Sequence, residues 1–312
     1  MTECRRWDKK RYHGFNHHLR QVFGEKVIKV AFDGGFTCPN RDGSLSTHGC
    51  IFCSTKGSGD FAGDRALTLA EQFGEVRERT KKKWPKAKYI AYFQSFTGTY
   101  ADPDDLQKLY DEALALKDVV GLAVSTRPDC INEEVLHVLE KINRKTYLWI
   151  ELGLQSIHDS TLAWLNRGHD YACFLEAFHK LRARGIRVCV HVILGLPCED
   201  RSQMLATARE MSKLDIQGIK LHSLHVLKGT ALAGLFERKE FKLMTLEEYI
   251  ELIADIVEIL PPAVIIHRLM GDGPLGQVIA PQWTRKKWEV INAIEKELEN
   301  RDSWQGKNYG VS

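Results

Sequence analysis

The sequence predicts an α/β fold: an incomplete (β/α)6 TIM-like barrel with a small C-terminal α/β extension. Three observations predict it. Between residues 27 and 224, strand-like and helix-like segments alternate six times. Several of the strand segments are near-continuous apolar runs, as in parallel strands buried on both faces. The alternating region is about 200 residues long, whereas a closed eight-unit barrel takes about 250.

Each element has its own local reason. VIKVAFD (27–33) is a β-branched, apolar strand, followed by a Gly- and Cys-rich loop. Residues 68–82 read as a helix and AKYIAYFQ (87–94) as a strand. Asp102 and Pro103 supply an N-cap and a first-turn proline for a helix to about Leu116. VVGLAVS (119–125) is a strand, and Asn132 caps a helix to about Asn143. TYLWIEL (146–152) is a strand, with helical segments to Arg184. RVCVHVIL (187–194) is a strand, 200–214 a helix and GIKLHSL (218–224) a strand. Helical crossovers between parallel strands are right-handed. Beyond about residue 235 the texture changes. Thr245 to Glu248 form a capping box for a helix to about Leu260, which Pro261-Pro262 ends. AVIIH (263–267) is a short strand and 284–300 a charged amphipathic helix. The expected division is a basic N-terminal extension (1–26), a core (27–234) and a C-terminal extension (235–312).

Composition bounds the function. With 312 residues, 44% hydrophobic and 27% charged, the chain is a packed globular protein and not a disordered one. The net charge of +3 excludes a histone-like tail protein. The charge is nevertheless uneven. Residues 1–29 hold eight basic side chains against three acidic ones, and a second basic stretch runs from Arg77 to Lys88. Together with His13, His17 and His18 they point to a polyanionic partner. Residues 1–11 lack the apolar core of a signal sequence, and no run reaches the eighteen apolar residues of a membrane span. A cytoplasmic protein with no membrane partner is expected. Its eight cysteines are then reduced or metal-bound and not a disulfide scaffold.

Three of these cysteines, Cys38, Cys50 and Cys53, share the loop after the first strand. Such a loop can bring three sulfurs to one centre. One reading is a zinc site with His48 as fourth ligand. Another is an iron–sulfur cluster whose fourth iron stays open to a small molecule. The loop alone leaves both open. The strand ends favour catalysis, because barrels place their chemistry there. The second strand ends in Phe93 to Thr97, the third in Ser125 to Asp129, the fourth in Glu151 to Ser156 and the fifth in Gly195 to Glu199. His191 lies in the fifth strand, and His222 and His225 lie on or beside the sixth. Five polar strand ends beside a three-cysteine loop suggest a lined site. Of the remaining cysteines, Cys173 and Cys189 read as core, and Cys130 and Cys198 follow strand ends. Cys4 has no assigned role.

With these motifs in hand, the chain resembles the radical S-adenosylmethionine (SAM) superfamily. The wide-spaced cysteine triad, Ser-Thr-Arg-Pro-Asp (125–129), Glu-Leu-Gly-Leu-Gln-Ser (151–156) and His-Val-Ile-Leu-Gly-Leu-Pro (191–197) carry that resemblance. It is similar to the branch that includes the catalytic subunit of Elongator. Arg11-Tyr12-His13, Leu227 to Thr230, His267-Arg268 and Gly271-Asp-Gly-Pro274 extend the likeness to a bacterial YtqA/YhcC-type family. The resemblance implies that Cys38, Cys50 and Cys53 ligate a [4Fe-4S] cluster, with Phe52 near the adenine of SAM. Gln94, Ser95 and Thr97 stand where the superfamily has a Gly-Gly-Glu segment for the methionine amine, which is absent here. Ser125, Thr126, Arg127, Glu151 and Gln155 would face the ribose and carboxylate. His191, Ile193 and Leu196 would form the adenine wall. A reduced cluster would cleave SAM to a 5′-deoxyadenosyl radical, with flavodoxin or ferredoxin as reductant.

The same resemblance implies a substrate. Elongator-like relatives act on the wobble uridine of tRNA. Only about eighty residues follow the barrel, so the acetyltransferase chemistry of that subunit is not expected. Members similar to this chain imply conversion of 5-carboxymethylaminomethyl-(2-thio)uridine to 5-aminomethyl-(2-thio)uridine, with a partner methyltransferase acting on the product. Hydrogen abstraction between nitrogen and carboxylate, oxidation to an imine and hydrolysis would release a two-carbon fragment. Lys220, His222, His225 or Arg268 would hold the substrate carboxylate. Two readings of other kinds stand beside this one: a radical SAM enzyme acting on a small metabolite, and a zinc-stabilised RNA-binding protein without catalysis.

Overall fold

The structure, a computed structural model, describes residues 5–310 except Leu275; Cys4 lies outside the described residues. The chain opens with helix α1 (Phe15–Phe23), then β1 (Val27–Phe32), α2 (Leu69–Lys81), β2 (Lys88–Phe93), α3 (Pro103–Ala115) and β3 (Val119–Thr126). Next come α4 (Glu133–Lys145), β4 (Tyr147–Gln155), α5 (Asp159–Trp164), α6 (Tyr171–Ala183), β5 (Arg187–Leu194), α7 (Arg201–Lys213) and β6 (Gly218–Ser223). The last part holds β7 (Val226–Leu227), α8 (Ala231–Glu237), α9 (Leu246–Ile259), β8 (Ile265–Arg268), β9 (Val278–Ala280) and α10 (Lys287–Asn300). Asp102, Asn132 and Thr245 cap α3, α4 and α9, and Thr245 closes a capping box with Glu248. Among the described residues, no helix is long and apolar enough to cross a membrane.

The main sheet is parallel and curls into a partial barrel. It has seven strands, in the order β1-β2-β3-β4-β5-β6-β8. The seventh is the segment read from sequence as part of a C-terminal extension. Ile265 donates its N–H to the carbonyl of Gln217, and β8 continues the ladder beside β6. The 263–267 segment is therefore integral to the barrel. Apart from it, β7 and β9 form a two-stranded antiparallel pair.

The apolar runs follow from burial on two sides. One face packs under α2, α3, α4, α6, α7 and α9 through residues such as Val30, Phe93, Leu122, Leu148 and Val190. The alternate residues, including Val27, Ile90, Ala123, Trp149 and Cys189, face the barrel interior. Helix α1 fills that interior at one end. Phe15 stacks on His267 at 3.8 Å and meets Trp149 edge-on, while Leu19 is buried beside them. Trp149 is fully buried, and its truncation to Ala costs about 3–5 kcal/mol.

The basic N-terminal segment is thus a structural part. Ile266 donates its N–H to the His13 carbonyl at 2.8 Å, so the segment adds to the free edge of β8. Buried Arg11 donates to the Ser303 carbonyl at 3.1 Å, and the His13 N–H donates to Gln305 Oε1 at 2.8 Å. The second basic stretch, 77–88, ends α2 and begins β2, where Lys88 pairs in register with Val27. Apart from Lys29, which reaches Glu151 inside the barrel, both stretches therefore lie toward the N-terminal ends of the strands.

Candidate active site

The opposite end, where the strands finish, holds a cavity of about 210 Å³. Cys38, Cys50 and Cys53 line it together with Phe52, Gln94, Thr97, Ser125, Thr126, Arg127, Gln155, His191, Ile193, His222, His225 and Arg268. Parallel strands aim their C-terminal ends to one side, so residues scattered over more than 200 positions meet there. Gln155 holds a φ of +75° at a register shift between β4 and β5. A non-glycine residue in that region marks a strained position, and such positions cluster at functional sites.

The cysteine loop is wired to the barrel by groups absent from the expected set. Arg167 donates to Cys50 Sγ at 3.3 Å and to the Gly153 carbonyl at 3.0 Å. Asn40 donates to the Asn166 carbonyl at 2.5 Å and reaches Cys50 Sγ at 3.6 Å. Arg41 donates to the carbonyls of Cys53 and Ser54 at 2.9 and 2.7 Å. N–H donors aimed at a sulfur favour its thiolate form. The available signal was Arg167-Gly168 between two helices, where Gly168 has a φ of +73°. Burial, with Cys50 close by, pushes the Cys53 thiol up to about 11, so a ligand role for it would require a cation at the centre.

Four expected site residues do not line the cavity. Ser95 is buried beneath Gly59, where a Cβ would come within 2.1 Å of its Oγ. Leu196 packs in an apolar cluster with Leu165 and Ile193. Glu151 and Lys220 form a layer just below the floor. The fully buried Glu151 carboxylate accepts from Lys29 and Lys220, from the Tyr92 hydroxyl at 2.5 Å and from His191 Nε2 at 3.1 Å. Lys220 also donates to the Tyr92 hydroxyl at 3.1 Å. Both oxygens of Glu151 are occupied, so it is not placed as a cofactor clamp. Lys220 is likewise committed and not placed to hold a substrate. Arg127, expected at the same rim as Glu151, does reach the cavity, where Asp129 holds it by two bonds of 2.9 and 2.8 Å.

Electrostatics follow this packing. Burial pushes the Glu151 carboxyl up, but Lys220 and Lys29 outweigh it and hold it well below the usual range. Burial lowers Lys220 to about 8 against the pull of Glu151. Burial and Lys220 lower His191 to about 4, so it is neutral at pH 7. Burial also keeps His222 well below its ordinary value and lowers His225 to about 4.

Several buried polar atoms at the cavity have no partner: Thr97 Oγ1, Arg127 Nη1, Arg167 Nε, His222 Nε2 and His225 Nε2. Buried polar groups are rarely left unsatisfied, so this wall suits a polar ligand. The two histidines exist here because Gly271 and Gly273 make room. A Cβ on Gly271 would lie 3.1 Å from His222 Nδ1, and one on Gly273 2.9 Å from His225 Cδ2.

Comparison with known proteins agrees with this geometry. The model of the radical SAM superfamily matches residues 45–211, and that of the radical SAM C-terminal domain matches 216–300. The chain belongs to the radical SAM superfamily. It is 52% identical to YtqA of Bacillus subtilis over 300 residues, covering 96% of this chain and 93% of that one. It is 36% identical to YhcC of Escherichia coli over 297 residues, covering 95% and 94%. Its fold matches the archaeal Elp3 of Methanocaldococcus infernus, studied with its N-terminus deleted, with a TM-score of 0.69 at 20% identity. That match covers 89% of this chain and 64%, less than two thirds, of the Elp3 chain.

The radical SAM protein is an enzyme, and its cofactors are a [4Fe-4S] cluster and SAM. The residues present fit them. Three free thiols ring one cavity, with N–H donors on Cys50 and an unpartnered polar wall opposite. The zinc alternative fits poorly. His48 is exposed beside Thr47, outside the cavity lining. Among the described residues, no three His, Cys, Asp or Glu side chains converge as ligands of a single ion. Of the other cysteines, Cys189 is core as expected, but Cys173 is only half-buried.

Proposed function

We propose that this radical SAM enzyme modifies the wobble uridine of tRNA. The reaction converts 5-carboxymethylaminomethyl-(2-thio)uridine to 5-aminomethyl-(2-thio)uridine with loss of a two-carbon fragment. The observation that carries this reading is the cavity wall of His222, His225 and Arg268. Two neutral imidazoles with unpartnered Nε2 atoms and one guanidinium face the cavity, and Arg268 has Asp272 only at 3.6 Å. Such a wall recognises a carboxylate by N–H donation and charge.

The remaining residues take the roles their positions allow. Cys38, Cys50 and Cys53 hold the cluster, and Asn40, Arg41 and Arg167 fix their loop. Thr97, Ser125, Thr126, Arg127 and Gln155 hold SAM, with Phe52, His191 and Ile193 beside its adenine. When bound, the cluster and SAM supply a 5′-deoxyadenosyl radical that takes a hydrogen atom from an unactivated carbon. The apolar groups Phe52, Phe61 and Ile193 restrict water around that carbon. The enzyme works in the cytoplasm with a flavodoxin or ferredoxin as reductant, and a methyltransferase uses the product.

Mass spectrometry of tRNA nucleosides from cells with and without the gene tests this. The carboxymethylaminomethyl form accumulates in the deletion strain and the aminomethyl form is lost. Unchanged levels of both sink the substrate assignment and leave a radical SAM enzyme of a different substrate.

A further inference from the structure

The cavity lies at the C-terminal ends of the strands, and α1 fills the barrel at the other end. Both basic stretches visible in the sequence lie at the other end, roughly 20–30 Å away along strands of six to nine residues. Part of their charge is also engaged. Arg11 and Lys29 are tied to Ser303 and Glu151, and Arg77 and Lys88 share Asp118.

The mouth has its own equipment. Phe61 is 53% exposed and lines the cavity. Across from the cysteine loop, Leu227 and Asp272 line the wall. Lys228 follows Leu227, is exposed, and makes no ion pair among the described residues. Lys287 pairs with Asp272 at 2.7 Å, which brings the first turn of α10 to the rim. The next residue, Trp288, is 72% exposed, the highest among the exposed large hydrophobic side chains. Among the described residues Lys286 pairs only with Glu289, both largely in solvent, where such pairs are weak. The acidic groups near this rim include Asp60, which lines the cavity beside Phe61, together with Asp272 and Glu289.

An exposed tryptophan among lysines beside a deep polar cavity is the chemistry of single-stranded RNA binding: bases stack on aromatic rings and cations track phosphates. We infer that the rim formed by Phe61, Lys228, Lys286 and Trp288 is the RNA-docking surface, and that the nucleotides flanking the modified base lie across it. This rests on the tRNA reading and moves the contact from the N-terminus to the C-terminal part of the chain.

The test is binding of fluorescent anticodon stem-loop RNA and of bulk tRNA to the cluster-loaded protein across a salt series. Trp288→Ala weakens binding by about tenfold, and Lys228→Glu with Lys286→Glu weakens it comparably and flattens the salt dependence. SAM cleavage without RNA stays unchanged in both. The control, Lys81→Glu with Lys82→Glu and Lys83→Glu, changes affinity less than about twofold. The placement is overturned if the control weakens binding and the rim variants do not. If the unaltered enzyme binds neither RNA, the tRNA reading itself fails.

Discussion

Two polar regions lie one layer apart inside the barrel. The lower one, around Glu151, is satisfied: one buried carboxylate takes Lys29, Lys220, Tyr92 and His191. The upper one, around the cavity, is not: Thr97, Arg127, Arg167, His222 and His225 each leave a buried polar atom without a partner. The lower one is built from strand residues, whereas in the upper one only His222 lies in a strand and Thr97, Arg127, Arg167 and His225 lie in connecting segments. A closed network supports the fold and sets the state of what it touches, whereas an open one awaits a ligand. His191 joins the two, since Nε2 serves Glu151 while its ring lines the cavity.

The largest effect expected comes from removing a proposed cluster ligand. Cys50→Ala abolishes reductive SAM cleavage and strips iron, sulfide and the broad absorbance near about 400 nm, the usual sign of iron–thiolate bonding. If the variant still cleaved SAM, the ligand assignment would be wrong. Next is Glu151→Ala. It leaves two buried ammonium groups without their anion and costs about 3–5 kcal/mol, read as a lower denaturation midpoint. Normal stability with lost SAM affinity would instead return Glu151 to the clamp role the sequence suggested. A smaller effect falls on the open layer. Thr97→Val removes a hydroxyl with no partner in the protein, so Tm holds or rises slightly while SAM binds roughly five- to tenfold more weakly. A drop in Tm with unchanged SAM binding would close that part of the comparison.

The smallest effect is the response to acid. His191 and His225 titrate near 4 in the fold and near 6.5 when unfolded, so unfolding takes up protons between these values. Their contribution is fully present above 6.5 and declines as pH falls toward 4. Tm is expected to be roughly 5 °C lower at pH 5 than at pH 7.5. A flat profile would show that these imidazoles are already charged in the fold.

The strand ends were legible because each strand's apolar run stops at a polar residue, and a parallel sheet turns that into proximity. Outside Glu151 and Lys220, thirteen expected positions lie at or beside strand ends, and eleven of them line the cavity. Ser95 and Leu196 missed it because alternation along an irregular strand end decides inward or outward. Asn40 and Arg167 escaped notice because their partners are a sulfur and carbonyls from distant segments. The role of α1 is tertiary: Phe15, Leu19 and Phe23 share one face at i, i+4 and i+8, and only the fold shows that this face fills the barrel.

By itself the sequence determined the parallel barrel, the cysteine loop and the family, since all three rest on local pattern and spacing. Only the tertiary structure decided that β8 belongs to the sheet, that Glu151 and Lys220 neutralise each other below the cavity, and that the N-terminal charges sit at the far end. Those facts depend on which groups meet across the fold, and a buried charge is structural or available only according to what faces it.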